Sequence, residues 1–132
     1  MVACCFVDKR DKSGKSVRFY GAVGQRDDMV TRGYGCASRR ELNTEESSPL
    51  HPVLLGAKDE LLSPGAVVSV EIAFCPSSTF FAEGERLRLI VSARDIVRAP
   101  IFKKDTSATR GRHGLHFGGQ YDSHLLIPKI RS

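Results

Sequence analysis

Apolar residues in this chain recur at every second position wherever they recur in order. From Val67 to Phe74 the even positions are Val68, Val70, Ile72 and Phe74, and the odd ones are Val67, Ser69, Glu71 and Ala73. Side chains of a strand alternate between two faces, so this spacing predicts a half-buried antiparallel strand with one wetter face. Arg86 to Ser92 repeats the pattern, with Leu87, Leu89 and Val91 set against Arg86, Arg88, Ile90 and Ser92.

The same reading predicts a strand over Val2 to Lys9. Asp11-Lys-Ser-Gly14 supplies turn chemistry, Gly14 being able to take positive φ, and Ser16 to Ala22 reads as the returning strand of a hairpin. A short strand is expected around Tyr34 to Ser38, and a closing one over His124 to Ile127, ended by Pro128. Leu42 to Gly65 and Asp95 to Arg112 are long, polar and interrupted by proline, and Pro64-Gly65 reads as a turn into the Val67 strand. No stretch carries a helical stripe beyond about three turns. Short, irregularly spaced strands with long loops predict a β-sandwich.

Composition changes this picture little. The 132 residues are 41% hydrophobic and 27% charged, the balance of one globular domain, so we expect a single domain over 1–132. A net charge of +5 admits nucleic acid or acidic lipid as partners, but the basic residues are scattered and interleaved with acids, which favours an ordinary solvated surface. Cys4, Cys5, Cys36 and Cys75 have no metal or redox spacing, and neighbours on a strand point to opposite faces, so buried free thiols in a reducing compartment are expected. Val2 to Val7 is too short for a signal-peptide core or a membrane span, and the expected location is the cytoplasm, with no membrane partner.

Tests for chemistry return little. Gly14-Lys-Ser16 is like the end of a phosphate loop, but Lys9 stands where the first glycine should be and no helix is expected to follow. Gly33-Tyr-Gly35 begins like a dinucleotide fingerprint, yet Ser38 occupies the third glycine position and no βαβ unit surrounds it. His113 and His116 fall on opposite faces of a strand and lack two further metal ligands. No Gly-x-Ser-x-Gly elbow exists for a serine nucleophile, and nothing near Cys36 or Cys75 clearly activates a thiol. Thr109-Arg-Gly-Arg-His-Gly114, with Lys103 and Lys104 upstream, is the best nucleic-acid candidate, but aromatics for base stacking are sparse. We therefore expect no catalytic, cofactor-binding or metal residues, no cofactor and no nucleic-acid partner.

Several segments nevertheless follow one another in a familiar order. Arg32-Gly-Tyr-Gly-Cys-Ala-Ser-Arg-Arg-Glu-Leu42 is succeeded by Ser48-Pro-Leu-His-Pro52, Pro64-Gly65, Val70-Glu-Ile72, Pro76-Ser-Ser78, Ala82-Glu-Gly84 and Leu87-Arg-Leu89. The chain closes with His116-Phe-Gly-Gly119 and Ser123-His-Leu-Leu-Ile-Pro128. In order and spacing this resembles the C-terminal domain of the X-prolyl dipeptidyl peptidase and cocaine esterase family of α/β-hydrolases, over nearly the whole chain. Tyr34, Phe74 and Cys75 stand near places where that family carries tryptophans, and Arg39 stands where a histidine is usual.

The resemblance implies an all-β fold, a jelly-roll (galactose-binding-like) β-sandwich, incomplete at its N-terminal side. It implies a non-catalytic role, packing against and shaping the pocket of an α/β-hydrolase catalytic domain that carries the serine, acid and histidine in the same or a separate chain. The parent activity implied is hydrolysis of a dipeptidyl or ester acyl bond, with this chain inactive alone. A free-standing jelly-roll module binding a ligand or carbohydrate is the alternative, for which Phe80-Phe81 is the one adjacent aromatic pair. If upstream strands are missing, Val2 to Val7 is expected to present an apolar edge prone to self-association.

Overall fold

The computed structural model describes residues 2–21, 24–96 and 112–130. Among them, strands β1 (Val2–Arg10), β2 (Thr31–Cys36) and β3 (Arg86–Ser92) form an antiparallel sheet in the order β2-β1-β3, and a 3-10 turn at Ala37–Arg39 follows β2. No α-helix occurs among the described residues.

Val2–Val7 is thus no edge. β1 is the middle strand, with Val2 to Val7 paired to β2 and Cys4 to Arg10 paired to β3. Its six consecutive buried residues, Ala3 to Asp8, follow from that place, since a strand covered on both sides reads as a continuous apolar run. The expected edge liability passes to the outer side of β3, which has no strand beside it among the described residues.

Residues directly opposite in an antiparallel ladder share a face. One face carries Cys4 and Phe6, both wholly buried, with Val2, Met29, Tyr34 and Ile90 packed on them. The Phe6 and Tyr34 rings meet edge to face, 6.2 Å apart. Beyond this core, the Tyr34 hydroxyl donates to buried Asp95 at 3.0 Å.

The other face holds Ala3, Cys5 and Val7. Here the Val67–Phe74 segment lies over β2. It is not a ladder strand; only Phe74 bridges Gly33, and the Cys75 N–H donates to the Arg32 carbonyl at 2.9 Å. The expected alternation is still real, because Val68, Val70, Ile72 and Phe74 are half-buried while Val67, Ser69 and Glu71 are exposed. Further along, the Lys9 ammonium is held 2.8 Å from Glu85, donates to the Phe80 carbonyl at 2.6 Å and sits 5.2 Å from the centre of the Phe81 ring.

Three other expectations are corrected. The Asp11–Gly14 turn forms, with Gly14 at φ 84° and Asp11 Oδ1 accepting from the Ser13 and Lys15 N–H groups. The return, however, pairs only at Ser16 with Arg10, plus Val17 N–H to the Lys9 carbonyl, and then leaves the sheet; Ala22 lies outside the described residues. The strand expected at Tyr34–Ser38 begins earlier and ends at Cys36, where the 3-10 turn takes over. His124–Ile127 is no strand; over 112–130 the one described backbone hydrogen bond, Tyr121 N–H to the Gly118 carbonyl, is a local turn. The Leu42–Gly65 loop is irregular as expected, tied by a Leu42–Leu54 bridge. Of the Asp95–Arg112 loop, residues 97–111 lie outside the described residues.

Candidate functional site

Each chemical candidate has a definite place. Gly14-Lys-Ser16 occupies the hairpin turn after β1. Gly33 and Gly35 lie within β2 against Ile72, where their lack of a side chain admits that residue and offers no room to a dinucleotide. His113 and His116 are exposed, and no group of three metal-capable side chains occurs among the described residues. The Ser123 hydroxyl donates to the His116 carbonyl at 2.7 Å, while the His124 ring nitrogen meets the Asp122 carbonyl at 2.9 Å, so these neighbours form no serine-to-imidazole relay. Of the Thr109–Gly114 patch only Arg112, His113 and Gly114 are described, and all are exposed.

The thiols divide by position. None of the four is in a disulfide, but only Cys4 and Cys5 are buried; Cys36 is half-buried and Cys75 exposed, correcting the expectation of four buried thiols. Burial, and secondarily the neighbouring Cys4, pushes the Cys5 thiol up. At Cys36 burial is the largest single influence and acts upward, but hydrogen bonds with the Ser38 hydroxyl, 3.2 Å away, and with the Ser38 and Arg39 backbone act downward, and the thiol lies below its ordinary value.

The strongest polar cluster is one that the sequence pattern did not single out. Asp8 and Arg10 are two apart on β1 and share a face, and Arg88 sits opposite Asp8 on β3. Asp8 accepts from Arg10 at 2.8 and 3.1 Å and from Arg88 at 2.6 and 3.0 Å. Alongside, Arg32 donates to Asp28 at 2.7 Å. Asp8, Arg10, Arg88 and Asp28 line a cleft of about 410 Å³ with Met29, Ile90 and Ile96. Its charges are matched internally, which suits a rigid floor better than a reagent set. Similar ties pin the long loop: Asp59 takes both ends of the Arg39 fork at 2.7 and 3.1 Å, and Glu60 pairs with Arg40.

What distinguishes the molecule is its surface. Leu61, Phe80, Phe117 and Ile130 are each about four-fifths exposed or more. Residues 112–130 alone present Leu115, Phe117, Leu126, Ile127 and Ile130. Exposed apolar side chains gathered in one segment are the mark of a surface made to be covered.

A small antiparallel sheet with uncovered apolar side chains is what the described residues present. The family model of the X-Pro dipeptidyl-peptidase C-terminal non-catalytic domain matches residues 6–126, and the chain belongs to that family. Two crystal structures of a CocE/NonD family hydrolase from Staphylococcus aureus are similar at 32% identity and a TM-score of 0.71, over 75% of this chain. The match spans 18% of the hydrolase chain. No curated protein matches. The expected hydrolase family and non-catalytic C-terminal domain are therefore both found. No helix among the described residues is long and apolar enough to cross a membrane.

Proposed function

We propose that this chain acts as a jelly-roll packing domain of a serine hydrolase resembling X-prolyl dipeptidyl peptidase and cocaine esterase, covering part of the catalytic α/β domain and shaping its substrate pocket. Bond cleavage, of a dipeptidyl amide or an ester through an acyl-enzyme, belongs to the catalytic domain. The observation that carries this reading is the family match over residues 6–126. The exposed apolar segment around Leu115, Phe117, Leu126 and Ile127 is the face we assign to the contact with the catalytic domain. Four cysteines outside any disulfide suit a reducing compartment such as the cytoplasm. Self-association through a free strand edge is part of the same reading.

The test is co-expression with the catalytic region of a CocE/NonD family hydrolase from the same genome. A one-to-one complex that hydrolyses a chromogenic prolyl dipeptide or an aryl ester is expected. Two species that elute apart, with the catalytic region fully active alone, would overturn the reading.

A further inference from the structure

The side of β3 away from β1, which no described strand covers, is self-complementary, and we propose that it pairs with the same strand of a second copy about a two-fold axis through Leu89, joining two three-stranded sheets into one of six. This deepens the self-association part of the proposed function and is independent of the hydrolase part.

β3 presents seven residues, Arg86-Leu-Arg-Leu-Ile-Val-Ser92, with no strand on its outer side among the described residues. The strand holds no proline and no lysine, and of its two charged residues, Arg86 and Arg88, the second is held by Asp8 of its own sheet. At its middle stands Leu89, apolar and 41% exposed.

Only one antiparallel register uses the whole strand. With Leu89 on the axis, Leu89 meets Leu89 of the second copy, Leu87 meets Val91, Arg88 meets Ile90 and Arg86 meets Ser92. The Leu87, Leu89 and Val91 positions then form an unbroken apolar row on the face that already holds Cys5 and Val7. No like charges stand directly opposite. Shifting the axis to Arg88 sets Arg88 against Arg88, and shifting it to Ile90 sets Arg86 against Arg94; like charges in direct opposition destabilise a ladder. The Arg88 side chains of the favoured register are diagonal neighbours, and each is already held by its own Asp8 at 2.6 and 3.0 Å. An isologous contact of this kind closes at two copies and cannot grow into a fibre.

Sedimentation equilibrium on the whole chain tests the proposal, with Leu89→Lys, Leu89→Glu and the control Leu61→Lys, whose parent residue is 85% exposed elsewhere on the surface. The expected result is a dimer for the parent and the control. Leu89→Lys should weaken dimerisation at least about tenfold, because it sets two ammonium groups opposite each other on the axis. Mixing the Lys and Glu variants should restore a heterodimer, an outcome a merely misfolded variant could not give. A dimer untouched by Leu89→Lys would overturn this register while leaving self-association. A parent chain that stays monomeric at concentrations near 100 times the micromolar range typical of weak interfaces would overturn both.

Discussion

Gly35 carries no side chain because Ile72 occupies its place: a Cβ built on Gly35 would stand 2.7 Å from Ile72 Cγ1. Two residues earlier the fit is tighter, and a Cβ on Gly33 would meet the Ala73 carbonyl oxygen at 2.5 Å and Ile72 Cγ2 at 2.9 Å. The irregular 70–75 segment can therefore approach β2 closely enough to bridge at Phe74. Gly33→Ala should cost about 1–3 kcal/mol, as overpacking does, and more than Gly35→Ala, since backbone must move at the first and mainly a side chain at the second. Urea denaturation of the two variants checks the order.

The Asp8 carboxylate organises two strands at once. Replacing it with Asn keeps the shape but removes the charge that Arg10 and Arg88 share, and charge-assisted hydrogen bonds contribute roughly 1.5–3 kcal/mol. Asp8→Asn should lower the denaturation midpoint, whereas Arg39→Gln, which breaks an exposed and solvent-screened pair with Asp59, should leave it nearly unchanged. Parallel chemical melts distinguish them.

Tyr34 gives the fold an alkaline limit. Burial, followed by its hydrogen bond to Asp95, raises the phenol to about 12. A group whose pKa is higher folded than unfolded contributes fully below its ordinary value near 10 and ceases to contribute as pH rises towards the folded value. Stability should thus fall between about pH 10 and 12, and Tyr34→Phe should flatten that part of the curve. The phenolate absorbance should show one late-titrating tyrosine that the variant lacks.

Thiol labelling reads the sheet directly. In native protein, Cys75 and then Cys36 should react with a disulfide reagent, while Cys4 and Cys5 wait for unfolding. The lowered pKa of Cys36 offsets part of its burial at neutral pH. Equal rates at all four positions would mean that β1 is not the covered middle strand.

The elements that sequence patterning reveals are those whose pattern arises within the strand. β1 and β3 are legible because Val2 to Val7 and Leu87 to Val91 carry their own apolar signal. β2 is blurred because its inward positions are Gly33 and Gly35, whose purpose lies 35 or more residues away in Ile72 and Val70. Val67–Phe74 shows the opposite case, an alternation produced by packing one side of the chain on a sheet without joining its ladder. The order β2-β1-β3 was not legible at all, since pairing partners are chosen by long-range packing and not by local propensity. Nor was the Asp8, Arg10 and Arg88 cluster, whose members come from strands about 80 residues apart. The resemblance to the hydrolase family could be read because it rests on the order of short segments, and the same segments locate no reagents.

The most direct test of the central claim is turnover of a chromogenic prolyl dipeptide substrate by the purified chain by itself. No hydrolysis above buffer is expected, because the serine nucleophile and its base are assigned to another domain. Sustained hydrolysis that disappears when Ser123, or another serine of this chain, is changed to alanine would contradict the account.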